Sequence, residues 1–168
     1  MSYCEFWYRP MVIDDSIYDA IERDVNQLQP VWKENQINVE HLTALTSKTG
    51  ENHHQTKGIV VTGAYGTFIF PQSLPEDFKN IYVTLIDGRM FQFVKTNQNR
   101  YGLAVQAILI IAKHYLNEQI IVTSNGDEHD WQEAREIVIN NLGYGLNFEL
   151  DESPPDELFG MKLTWNLV

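Results

Sequence analysis

The chain is poor in cysteine, in positive charge and in long apolar runs, and each shortage excludes a class of protein. Its one cysteine, Cys4, cannot close an internal disulfide, so packing has to hold the fold, and the residue usage suits a reducing, cytoplasmic compartment. No apolar window approaches the roughly 18 residues of a membrane span. The longest apolar stretch, Leu103 to Ala112, is interrupted by Gln106. The opening segment MSYCEFWYRP lacks the basic and then apolar run of a signal peptide. A soluble protein with no membrane contact is the expectation.

Lys and Arg number 12 against 23 Asp and Glu, for a formal charge of −11. The imbalance is concentrated, because residues 127–168 hold ten acids against Arg135 and Lys162. Duplex nucleic acid is therefore not an expected partner, since phosphate binding needs a clustered positive surface. An acidic C-terminal surface could instead steer a protein partner or maintain solubility. Catalytic signatures are also missing: the sequence has no GxSxG elbow, HExxH or CxxC. Gly63 to Gly66 lacks dinucleotide-fingerprint spacing, and neither Lys48-Thr49 nor Lys95-Thr96 follows the glycine loop of a P-loop. No cofactor is expected.

What is present is enough apolar material for a core, 43% of 168 residues with 12% aromatic, at a length that suits a single domain spanning 1–168. Tyr3 to Arg9 alternates with aromatics on both faces, which predicts an opening strand covered on two sides. Asp14, Asp15 and Ser16 then supply helix-start chemistry, Ile17, Ala20, Ile21, Val25 and Leu28 recur at helical spacing, and Pro30 is expected to end the helix. Ile37 to Leu45 fits neither period, and Ser47 to Lys57 reads as an exposed polar loop. Short strands are predicted over 58–62, 67–70 and 81–86, the last turning through Asp87-Gly88 into a strand over 89–95. Tyr101 to Leu116 is an almost uniformly apolar helix and Gln119 to Thr123 a strand. Asp130 to Leu142 is a second helix closed by Gly143 and Gly145. Strands over 146–150 and 161–165 complete an α+β fold with a mixed sheet, about three main helices and one β-α-β-α unit in the second half.

The strand-helix-strand run from Arg89 to Thr123, with only Asn117 and Glu118 after the helix, predicts a crossover between parallel strands. Their exits then share one sheet edge, where Lys95, Thr96 and Arg100 would meet Ser124, Asp127 and His129. Ligands favour such edges, and two helix starts there add positive dipole ends. This is the candidate site. Lys95 and Arg100 would clamp an anion, Thr96 and Ser124 would donate hydrogen bonds, and Asp127 or His129 would serve as acid or base. The competing reading pairs Asp127 and Glu128 with Arg100 and has Asp130 cap its own helix. No metal site is expected, because Asp127, His129 and Asp130 have no partner His cluster at ligand spacing. Trp7, Trp32, Trp131 and Trp165 read as core or interface residues.

The run from Phe93 to Val105, with Lys95, Thr96 and Tyr101 in a K-T-x-x-x-x-Y arrangement, resembles small uncharacterised bacterial proteins. In those proteins this pattern precedes a long apolar helix and an S-D-G turn follows the next strand. The resemblance covers about a third of the chain. Asn125 stands where the pattern has Asp, and the resemblance implies no particular activity. The functional expectation is an acidic cytoplasmic protein acting by protein interaction or regulation. The alternative is a domain that binds, or a hydrolase that acts on, a nucleotide or phosphorylated compound near Lys95 and Ser124.

Overall fold

The computed structural model describes residues 3–49, 52–75 and 84–158. Among these the chain is α+β: six strands in two three-stranded antiparallel sheets, rather than one mixed sheet, with four α-helices. The first sheet has order β5-β1-β6, built from β1 (Cys4–Arg9), β5 (Met90–Lys95) and β6 (Ile121–Ser124). The second has order β2-β3-β4, from β2 (Asn38–Thr49), β3 (Asn52–Thr62) and β4 (Thr67–Pro71).

β1 is central because both its neighbours pair antiparallel to it, which leaves β5 and β6 running the same way on either side. Its alternation sorts the sheet. Trp7 lies across from Gln92 and Val122, and on this face Trp7, Val94 and Val122 join the core. Phe6 and Tyr8 take the other face, where they stack with Phe91 and Phe93 at centroid distances of 5.1–6.4 Å.

Helix α1 (Asp15–Gln27) starts where the sequence signals it, with Asp14 accepting from the Ser16 backbone N–H at 3.0 Å. Pro30 does not end this helix. It sits in the first turn of a separate short helix, α2 (Gln29–Glu34), where a missing N–H leaves no helical bond unmade. The predicted polar loop over 47–57 is also corrected, since these residues lie mostly in the paired arms of β2 and β3, with Ser47 opposite His54. The segment SKTGENHHQTK has no apolar residue to alternate, so its polarity mimics a loop. The ambiguous segment before it is strand too, and a register shift between Leu42 and Leu45 breaks its period.

Thr84 bridges Met90 across the turn at Asp87-Gly88, where Gly88 has φ +91°; residues 81–83 of the predicted strand fall outside the described range. Helix α3 (Tyr101–Leu116) is buried along nearly its whole length, between α1 and α4 and against the sheets. A 3-10 turn at Glu128–Trp131 leads into α4 (Gln132–Leu142), which Gly143 closes at φ +80°. The strand expected over 146–150 is absent. Phe148 folds back onto Trp131, 5.4 Å between centroids, and the Leu150 N–H goes to the Glu128 carboxylate at 2.7 Å, so side chains take the place of a ladder. The strand predicted over 161–165 lies outside the described residues.

Buried Arg9 bridges the sheets. From the end of β1 its guanidinium donates to the carbonyls of Pro10 at 3.0 Å, Pro71 at 2.5 Å and Gln72 at 3.1 Å, and it lies 4.8 Å over the Phe70 ring. Burial lowers its pKa to about 9, yet three carbonyls answer its donors, so it holds its charge at neutral pH. Tyr101 makes a second connection, its ring against Gly63 and its hydroxyl donating to the Lys95 carbonyl.

Candidate functional site

The strand exits do share an edge. Lys95 lies opposite Cys4 and Ser124 opposite Glu5, so β5 and β6 both finish at the start of β1. Between β5 and α3 the chain passes through Asn97 at φ +48° and Gln98 at φ +57°, two successive left-handed residues that turn it sharply into the helix. Thr96, 2% exposed, is anchored there by its N–H to the Tyr3 carbonyl at 2.8 Å.

A cavity of about 180 Å³ opens at this edge. Glu5, Thr96, Arg100, Gln106, Asp130 and Glu133 contribute to its lining. Two of the predicted site residues, Thr96 and Arg100, are therefore brought together. Lys95, Ser124, Asp127 and His129 are not among the lining residues. Lys95 is exposed and belongs to the register face of Phe93. The Ser124 hydroxyl accepts from the Gly126 N–H at 3.0 Å. Asp127 is a cap, accepting from the N–H groups of His129 and Asp130 at 2.9 and 3.2 Å, while its own N–H goes to Asp130 Oδ2 at 2.9 Å. His129 is exposed on that turn.

Arg100 is already matched. Its Nη1 reaches both Glu133 oxygens, at 3.1 and 3.2 Å, and its Nη2 binds the Asn35 side chain. The pairing of Arg100 with Asp127 or Glu128 does not form; Glu128 takes Arg135 at 2.6 Å instead. The helix geometry explains this exchange, since Glu133 in the first turn of α4 faces the start of α3 while Arg135 points back toward the preceding turn.

Sequence reasoning missed Glu5. Its side chain is 2% exposed, on the helix-facing side of β1. Gln106, the polar break in the apolar helix, donates to Glu5 Oε1 at 3.2 Å. Oε2 is buried with no hydrogen-bond partner among the described residues. Burial pushes the Glu5 carboxyl above the ordinary range, the Ser124 hydroxyl and Gln106 amide pull it partly back, and the Asp130 charge raises it further. The available signal was Gln106: a lone amide inside a buried helix must find a partner. That its partner would be Glu5, 101 residues away, was not readable.

The chemistry of the cavity follows from this arrangement. Three carboxyl groups, Glu5, Asp130 and Glu133, face one guanidinium that Glu133 already neutralises. The cavity therefore presents carboxyl oxygens beside a guanidinium that is already paired. Among the described residues no group of three or more His, Cys, Asp and Glu is placed to hold a metal ion, and no helix is long and apolar enough to cross a membrane. Compared with family models, curated proteins and solved structures, the chain matches none.

Proposed function

We propose that the chain binds a small ligand bearing a cationic nitrogen, such as an ammonium or guanidinium group, in the strand-exit cavity. Glu5 is the recognising group. The observation that carries this reading is Glu5 Oε2, a buried carboxyl oxygen with no hydrogen-bond partner among the described residues, on a residue that lines the cavity. An unsatisfied buried acceptor costs about 1–3 kcal/mol, and a ligand N–H would recover that cost. The raised Glu5 pKa gives the reaction a sign. A cation favours the ionised carboxyl, so binding releases protons and strengthens as pH rises through the Glu5 pKa.

The test is a titration of isotope-labelled protein with methylguanidinium and ethylammonium, following the amide signals of Thr96, Gly102 and Gln106 together. Saturable shifts that disappear in Glu5→Gln support the reading. If phosphate or acetate moves these signals and the cations do not, Arg100 is acting as an anion clamp and the cation reading fails.

A protein partner is the second reading, favoured by the exposed carboxylates Glu149, Glu152 and Glu157. Other acids of this region are engaged inside the fold: Asp151 binds Lys113 at 2.8 Å and the Val122 N–H at 2.9 Å. The surface left for a basic partner is correspondingly smaller than the sequence implies. Salt-sensitive binding of a Lys/Arg-rich peptide, lost when these three glutamates become glutamine, is its expected signature.

A further inference from the structure

We propose that the cleft between the two sheets is a separate binding site for a neutral, largely apolar molecule carrying a carbonyl-type oxygen. The cleft has a volume of about 400 Å³, within the roughly 300–1,000 Å³ of small-molecule pockets. Its walls come from both sheets: Trp7, Met90 and Gln92 on one side, Ile69 and Pro71 on the other, with Leu74 from the segment after β4. Among the described residues no Asp, Glu, Lys or Arg lines it, which separates it chemically from the acidic cavity around Glu5.

The few polar groups in the cleft select the ligand. His54 Nε2 lies 3.1 Å from the Ser73 carbonyl and 3.0 Å from the Ser73 hydroxyl oxygen. A carbonyl oxygen can only accept, so the proton resides on Nε2 and is shared between the two oxygens. The Ser73 hydroxyl hydrogen is then left to donate elsewhere. With Nε2 protonated, His54 cannot draw that hydrogen away, so the pair is not a nucleophile and its base. Gln92 presents the same polarity. Its Oε1 accepts from Trp7 Nε1 at 3.0 Å, which turns the amide NH₂ outward with no partner among the described residues. The Thr56 hydroxyl is spent, accepting from the Ser73 N–H at 3.2 Å and donating to the Lys57 carbonyl at 3.1 Å.

Two donors in an uncharged apolar cleft suit a ketone, ester or amide oxygen on an apolar body. Among the described lining residues neither an ammonium nor a carboxylate would find a counter-charge, and the Thr46 and Thr67 hydroxyls that also line the cleft carry none. This assignment is independent of the Glu5 reading, since it uses none of the same residues.

The naphthalene ketone prodan tests it, because its emission shifts to the blue in an apolar site. Saturable, blue-shifted binding is expected, displaced by a medium-chain methyl ketone and not by the matching alkylammonium. Ser73→Ala and Gln92→Glu should each weaken it about tenfold, the loss of one hydrogen bond. Gln92→Glu keeps the oxygen that Trp7 needs while removing the donor. Ile69→Trp, at a partly exposed position on the cleft wall, should abolish binding with the unfolding midpoint unchanged. No saturable binding, or binding unaltered in Ile69→Trp, overturns the site. Binding lost in Ile69→Trp but indifferent to both donor variants overturns the choice of ligand oxygen.

Discussion

Gln106 donates its side-chain amide to Glu5 Oε1 at 3.2 Å, tying the middle of a buried helix to the central strand of its sheet. The bond satisfies one carboxyl oxygen; the other has no hydrogen-bond partner among the described residues. Because burial raises the Glu5 pKa, the folded state holds this proton more tightly than the unfolded chain. The associated stability is fully present below the ordinary glutamate pKa and is lost as pH rises through the raised value. Glu5→Gln should therefore be the more stable protein at pH 8, by about 1–3 kcal/mol. The gain should shrink toward pH 4, as read from urea unfolding at the two pH values.

Asp24 titrates in the opposite sense. Burial alone would raise its pKa, but the Tyr115 and Tyr144 hydroxyls, both donating to Oδ2 at 2.5 and 2.6 Å, and the Arg23 guanidinium at 3.2 Å outweigh burial and lower it. Its contribution is present above the ordinary aspartate pKa and is lost as pH falls through the lowered one. Asp24→Asn should cost about 2 kcal/mol at neutral pH, with the gap to the native protein closing in acid. Thermal unfolding between pH 2 and 7 checks this.

Arg9→Lys is not conservative here. A lysine offers one point of donation where the guanidinium reaches three separate carbonyls, and it loses the planar stack on Phe70. About 3 kcal/mol of destabilisation is expected. It should be measured by denaturant midpoint, with an unchanged denaturant dependence showing that the fold itself is retained.

Gly63→Ala should also destabilise, by about 1–3 kcal/mol. An added methyl would run into the face of the Tyr101 ring. Since the Tyr101 hydroxyl holds the Lys95 carbonyl, the amide signals of Thr96 to Gly102 should move with it. If only β3 signals change, the ring does not couple the second sheet to the strand-exit cavity.

Helices α1 and α4 were legible because one face of each repeats with the helical period, α3 because its apolar run is too long for a strand, and the β5-α3-β6 crossover because the connection after α3 is short. The edge they share could be derived from that alone. The chemistry at the edge could not. Thr96 and Arg100 were visible as polar residues at a junction, whereas Glu5 acquires its role from Gln106 and Ser124, which chain tracing alone does not place beside it. Arg100 shows the same limit: its partner is Glu133, in the first turn of α4, and nothing in the local spacing distinguishes that choice from Glu128. The arms of β2 and β3 over 47–57 were misread because two strands can satisfy each other's backbone without any apolar alternation in the sequence.

The central place of β1 bears on how the chain assembles. Trp7 meets its Gln92 partner across 85 residues, and Cys4 accepts the backbone N–H of Asn125 from farther still. Neither edge of the first strand can pair until the second half of the chain has left the ribosome, so an aromatic-rich ribbon waits open through most of synthesis. Loop closure of this length makes slow folding the expectation and puts the period of greatest aggregation risk before β5 arrives.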